Sequence, residues 1–382
     1  MQRSVSILTL ALLAIAPIHA ADFQLAEGDR IVFIGNTLIE REQNYGWWEA
    51  SLTVPDKNIT FRNLGWSGDT VWGEAMARFG SQAEGFKHLK EHVTALKPTV
   101  VVVGYGLNES FAGEPGLPRF TQGLNTLLDM LATTKARVVL LSPLKQEDLG
   151  RPLPDPTAQN KNIALYRDTL KAVAEKRGHH FVDLFDLSAE LARPLTDNGL
   201  HLTGDGYRKT AAVVQQGLGV KSTPWQVTIA KDGKATATGV KVEKAQAGPV
   251  RFTATDEALP LLATARVLTL QGLPAGKHTL KVDGKPVATA SAAEWAAGVK
   301  LTSGPDFEQA EELRQTIREK NETYFHRWRP QNETYLFGFR KNEQGKNAKE
   351  IAEFDPIVAK LEAEIAKLRV PVARQYEVTP AQ

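Results

Sequence analysis

Thr99-Val100-Val101-Val102-Val103 is β-branched throughout. Such side chains fit a pleated strand, and an apolar run without alternation fits a strand covered on both faces. A strand of that kind calls for a parallel sheet with helices on either side. The neighbouring sequence supplies the other parts. Arg30 to Ile34, Ile59 to Asn63, Arg137 to Leu141 and His180 to Asp183 are further strand candidates. Between them, Phe86 to Leu96 places Phe86, Leu89, Val93 and Leu96 at helical spacing. Leu117 to Leu131, Asn160 to Arg177 and Gly206 to Leu218 read as helices too. Residues 22–220 are therefore expected to form an α/β domain, three-layer α/β/α and flavodoxin-like, with a parallel sheet. In such sheets a ligand sits outside the carboxyl ends of the strands.

The texture changes after Lys221. Trp225 to Ala230, Val250 to Thr255, Ala265 to Leu270 and His278 to Val282 are short alternating runs, and Asp283-Gly284 is a hairpin turn signal. Residues 221–300 are expected to be a small β-rich unit. Residues 301–382 read as a helical C-terminal extension, with helices at Pro305 to Lys320 and Ile357 to Leu368. Between these helices lies a dense aromatic and arginine segment from Tyr324 to Arg340.

Residues 1–20 read as a cleaved signal peptide. Arg3 gives the positive start, Ile7 to Ala16 the apolar stretch, and Ala20 or Ala21 the small cleavage residue. The expected location is the periplasm or the exterior. No later run is long and apolar enough to span a bilayer. The 382 residues include no cysteine, which excludes disulfides and thiolate chemistry. A net charge of +2 with mixed signs, and no basic stripe, gives no reason to expect nucleic acid as a partner.

Four short blocks carry the chemistry. Gly35-Asn36-Thr37 follows the first strand, Gly65-Trp66-Ser67-Gly68-Asp69-Thr70 the second, and Gly106-Leu107-Asn108-Glu109 the third. Asp197-Asn198-Gly199-Leu200-His201 comes late. The first three thus fall on one rim of the sheet. Acyl transfer needs a nucleophile, a base and oxyanion donors. Thr37 offers the hydroxyl, and His201 is the natural base near neutral pH. The Gly68 N–H, the Asn108 amide and the Thr37 N–H are oxyanion candidates.

Order and spacing of these blocks resemble the SGNH, or GDSL-type, hydrolases over residues 30 to 210. In that family the first block is usually Gly-Asp-Ser, where this chain has Gly35-Asn36-Thr37. Gly68 matches the second-block glycine and Asn108 the third-block asparagine. The last block is Asp-x-x-His, and here Asn198 holds the acid's place with Asp197 one step earlier. Thr37 adds a methyl that restricts its rotamers. Asn198 is neutral, so either Asp197 or Asn198 is left to orient His201. The resemblance implies an ester hydrolase needing no metal or organic cofactor, and the signal-like N-terminal segment makes it an exported one. Its expected substrates are O-acyl, for example acetyl, esters of carbohydrate or related small esters. The alternative is a non-catalytic ligand-binding or scaffold protein that keeps a degenerate cleft. Asn36, Trp66 and Arg340 are further substrate-binding candidates.

Other features have two readings each. His88-Leu89-Lys90-Glu91-His92 matches the H-x-x-E-H zinc signature, yet no third ligand is apparent and a charged amphipathic helix explains it. Trp47 and Trp48 read as core. The segment from Tyr324 to Arg340 is either a binding surface or, as preferred, a tail docked on the first domain with its aromatics buried.

Overall fold

Val100 to Val103 are fully buried in the middle of the first sheet. The computed structural model describes residues 23–381, apart from 79, 188–193, 263–265 and 344–345. The expected signal peptide lies outside the described residues. Strands β1 (Arg30–Gly35), β2 (Thr60–Asn63), β3 (Val100–Gly104), β4 (Arg137–Leu141) and β5 (His180–Val182) form one sheet in the order β2-β1-β3-β4-β5. Every pairing is parallel. The helices linking or flanking them are α1 (Thr37–Glu42), α2 (Trp47–Leu52), α3 (Gln82–Ala95), α4 (Leu107–Ser110), α5 (Leu117–Ala132), α6 (Thr157–Arg177) and α7 (Gly204–Gly217).

The strand residues split alternately between two cores. Val32, Ile34, Val101, Val103, Val138 and Leu140 pack with Leu89, Leu124, Tyr166 and Leu170 from α3, α5 and α6. Ile31, Phe33, Val100, Val102, Val139 and Leu141 pack with Ile39, Trp48, Tyr207 and Val214 from α1, α2 and α7. Burial on both faces is why the valine run shows no alternation. Chain order reverses beside β1, whose neighbours are β2 and β3. The carboxyl ends of β1 and β3 therefore border the crevice where ligands of such sheets bind.

The second half contains two more sheets around one core. Strands β6 (Trp225–Ile229), β7 (Ala235–Thr238), β10 (Arg266–Leu270) and β13 (Val299–Leu301) form the order β13-β10-β6-β7. Strands β8 (Val240–Ala247), β9 (Val250–Asp256), β11 (Lys277–Val282), β12 (Lys285–Ser291) and β14 (Arg374–Pro380) form β12-β11-β14-β9-β8. Trp225, Leu268 and Leu270 from one sheet share a core with Phe252, Leu280 and Tyr376 from the other, and α8 (Ala292–Ala297) adds the buried Trp295. The expected hairpin is present: Asp283 and Gly284, with φ of 48° and 78°, join β11 to β12. Positive φ at both positions is what a tight two-residue hairpin turn requires.

The C-terminal extension departs from the expected form in one respect. It is helical over α9 (Pro305–Trp328), α10 (Glu333–Leu336) and α11 (Phe354–Leu368), but β14 then returns to the β unit. There it lies antiparallel between β9 and β11. Tyr376 and Val378 point inward, at the two-residue spacing of a strand.

α9 and α11 pack together, and α9 also meets α2 and β2. The Lys320 ammonium is buried there and donates to Glu49 Oε2 at 2.9 Å, the Phe61 carbonyl at 3.2 Å and Asn321 Oδ1 at 2.8 Å. Tyr324 and Trp328 are buried in the core beneath the sheet's α3 face. Arg62 lies over the Tyr324 ring and pairs with Glu362. The aromatic part of the extension is thus docked on the first domain. Trp48 is fully buried with its indole N–H on Thr210, while Trp47 is half-buried beneath Arg314.

Candidate active site

The crevice is assembled from strand ends. Gly35 closes β1 with φ 156°, and a Cβ there would stand 2.5 Å from the Gly104 carbonyl and 2.6 Å from Ile39. Glycine therefore lets β1, β3 and α1 converge. The Asn36 side chain caps α1, accepting from Leu38 N at 3.1 Å. Thr37 is the first helical residue, so its N–H has no partner inside the helix. Thr37 and His201 line one small cleft with Asn36, Arg41, Tyr105, Tyr207 and a mainly apolar wall of Leu38, Leu107, Leu144, Leu200 and Leu202.

Gly68, Asn108, Asp197 and Asn198 stand outside that lining. Gly68 adopts φ 80°, and nothing lies within 4 Å of where a Cβ would be. Among the described residues the Thr37 and Gly68 backbone N–H groups have no hydrogen-bond partner. Asn108 Nδ2 donates to the Asp69 carbonyl at 2.8 Å, which ties the third block to the second. Its other amide hydrogen remains available.

Asn198, not Asp197, contacts the imidazole. Asn198 Oδ1 accepts from His201 N at 2.8 Å and from Leu200 N at 3.1 Å. Those two donors fix the amide's orientation, because the NH2 group cannot accept. The NH2 therefore faces His201 Nδ1, at 3.1 Å. Facing a donor, Nδ1 must be the acceptor, so a neutral His201 carries its proton on Nε2. A general base needs the opposite tautomer, with Nε2 free to accept. Asp197 is occupied by Arg41, at 2.9 Å. Burial and the Arg41 charge hold the His201 pKa below its usual value, and the Asp197 charge only partly opposes them. The Thr37 hydroxyl makes no hydrogen bond among the described residues.

Behind the oxyanion candidates lies a buried acidic pair. Asp69 accepts from the Tyr105 hydroxyl at 2.8 Å and from Ala75 N at 3.0 Å. Glu109 accepts from Val71 N and Gly106 N, both at 2.9 Å. Burial, aided by the neighbouring acid charges, pushes Asp69 up to about 6 and Glu109 up to about 7.

Trp66 and Arg340 are placed apart from the cleft lining. The Arg329 guanidinium lies over the Trp66 ring, 3.5 Å from its centroid, and Trp328 meets that ring edge-on at 5.8 Å. Arg340 pairs with Glu343 and covers Tyr335. His88 bonds the Met76 carbonyl, and His92 packs edge-on against Trp328. Among the described residues no group of three histidines or acids could hold a metal ion. Sequence reasoning missed Glu40 and Arg41, although their spacing of three and four from Thr37 puts them over it on α1. Arg329 lies in the aromatic and arginine segment singled out in the sequence, as a candidate substrate contact with Arg327 and Arg340 should that segment roof the cleft, but nothing there pointed to its partner Glu40.

The fold is a three-layer α/β/α domain with a crevice at the strand ends, and the comparisons agree with that fold. Residues 28–209 match the model of the GDSL-like lipase/acylhydrolase family. Among solved structures, the chain is similar to a gut microbial diltiazem-metabolizing enzyme, at 17% identity and a TM-score of 0.72. That match covers 95% of this chain and 100% of the other, so the whole arrangement of units is shared. It is a likeness of fold. The chain also matches an acetylxylan esterase from Geobacillus stearothermophilus, at 17% identity and a TM-score of 0.42, over 52% of this chain and 98% of that one. A comparison with curated proteins finds no match.

Proposed function

We propose that this chain is an exported ester hydrolase of low intrinsic turnover, acting on short O-acyl esters, with acetylated carbohydrate as the substrate class. The observation that carries the reading is one cleft holding Thr37 and His201, with the unpartnered N–H groups of Thr37 and Gly68 on the same rim. The Thr37 Oγ1 attacks the acyl carbonyl carbon as His201 Nε2 takes its proton. The oxyanion accepts from the Thr37 and Gly68 N–H groups and from Asn108 Nδ2. His201 then returns the proton to the departing alcohol, and water releases the acyl group by the reverse steps. The leucine wall and the small cleft favour an acetyl-sized group. The N-terminal apolar segment supports export.

Attack requires the minor tautomer of His201, because Asn198 favours the Nε2–H form. That feature also favours a second reading, in which the cleft binds a ligand and His201 Nε2–H acts as a donor to it. An assay of the purified mature protein on p-nitrophenyl acetate and an acetylated oligosaccharide separates the two. Turnover that drops by roughly 10²-fold or more in both Thr37→Ala and His201→Ala supports hydrolysis. An inactive wild type that gains turnover in Thr37→Ser with Asn198→Asp supports the binding reading.

A further inference from the structure

We propose that Arg329, from the C-terminal extension, is a positioning residue that holds the loop bearing the Gly68 oxyanion donor. The inference rests on the hydrolase reading for its catalytic consequence, but the clamp itself stands on geometry. Arg329 Nη1 donates to Glu40 Oε1 at 3.1 Å. The other oxygen of that carboxylate, Oε2, accepts from Ser67 N. One carboxylate thus links the extension, the nucleophile's helix and the residue before Gly68. The same guanidinium lies over Trp66, whose N–H bonds the Gly35 carbonyl at 2.9 Å. Glu40 stands one helical turn after Thr37, so the clamp ties the donor loop to the nucleophile's own helix.

A second grip lies further along the loop, where Glu333 pairs with Arg78. Between the two, Trp328 fills the space between Trp66 and His92. Gly68 has left-handed backbone, and a Cβ there would meet nothing within 4 Å, so among the described residues only the turn bond from Asp69 N to the Trp66 carbonyl, at 3.0 Å, spans that position within the loop. A donor is effective in acyl transfer only when held where the oxyanion forms. The first domain therefore carries the donor and holds the loop's flanks through Gly35, Glu40 and Asn108, and residues 325–333 add a further restraint on Glu40 and Trp66.

The test uses the full-length mature protein and its Arg329→Ala and Arg329→Lys variants. Amide hydrogen exchange in Arg329→Ala is expected to rise in residues 64–70 and to stay at the wild-type level in β3 and β4. On p-nitrophenyl acetate, kcat is expected to fall about tenfold with KM held within about twofold, since a donor to the oxyanion acts in the transition state. Arg329→Lys keeps the charge on Glu40 and is expected to recover part of both effects. Unchanged exchange in residues 64–70 would overturn the clamp, and so would a rise spread over the whole domain. Loosened exchange in residues 64–70 of Arg329→Ala, with a wild type that shows no turnover, upholds the clamp and removes the hydrolase reading. Turnover with an unaltered loop in Arg329→Ala does the opposite.

Discussion

Asn198 presents His201 with an amide NH2 at the point where an acid would present an acceptor. In a serine-protease triad that exchange lowers turnover by about 10⁴-fold, because the imidazole is held in the wrong tautomer. Here the amide cannot turn round, since its oxygen holds two backbone N–H groups. An aspartate in its place keeps an acceptor for both of those groups and converts the third contact from donor to acceptor. Asn198→Asp is therefore expected to raise kcat, by about 10²- to 10⁴-fold. Adding Thr37→Ser, which removes the crowding methyl, should raise it further. The pH profile gives an independent reading. A base must be neutral to act, so the rate rises with pH through the His201 pKa, and in the wild type that rise lies below the usual histidine value. A carboxylate at position 198 stabilises the imidazolium, so the variant's inflection should move to higher pH. An inflection that moves down, or no gain in kcat, would count against this account.

The third block's short helix and the loop after β2 meet at Asp69 and Glu109, which links the site's elements to stability. Both carboxyls have folded-state values above their usual ones, about 6 and about 7. A raised folded value means that the folded state binds protons more readily than the unfolded chain between roughly pH 4 and 7. Their contribution is fully present below the unfolded values and is lost as pH rises through 6 and 7. Going from pH 5 to pH 8 should therefore cost on the order of 1–3 kcal/mol for each carboxyl. Denaturant melts at the two pH values check this. Asp69→Asn removes one titrating group while leaving the Tyr105 hydroxyl free to reverse its role, so its melts should show a shallower pH dependence. These elements were legible because their signals are local. Valine runs and helical spacing mark β3 and α3, and glycines sit where the strands end. The pairing of Asp69 with Tyr105 was not legible, since nothing in either block states which way a buried side chain turns.

At the scale of the molecule, legibility fell with sequence separation. Arg329 and Glu40 are 289 positions apart, and Lys320 and Glu49 are 271 apart. No periodicity within one element announces such a pair. β14 is the largest case: its alternation spans only seven residues after a helix, and its partners begin at Val250 and Lys277. Its place in the middle of a sheet makes it the link that closes the chain on itself. Arg374 donates to Asp306 and Gln309 at the start of α9, and the Tyr376 hydroxyl donates to Asp306 at 3.2 Å. The Tyr376 ring stacks on Phe252, 4.7 Å between centroids, inside the shared core. Removing residues 371–382 would leave β9 and β11 with unpaired inner edges and bare the face beneath Tyr376. The truncated chain is expected to aggregate or to melt well below the full chain, by thermal scan and size-exclusion. Two point variants separate packing from hydrogen bonding. Tyr376→Ala should lose about 3–5 kcal/mol, as large aromatic truncations in cores do. Tyr376→Phe keeps the ring and should lose only about 0.5–1.5 kcal/mol. A truncated chain with the full chain's melting temperature would mean that β14 is an accessory to the β unit and that its core closes without it.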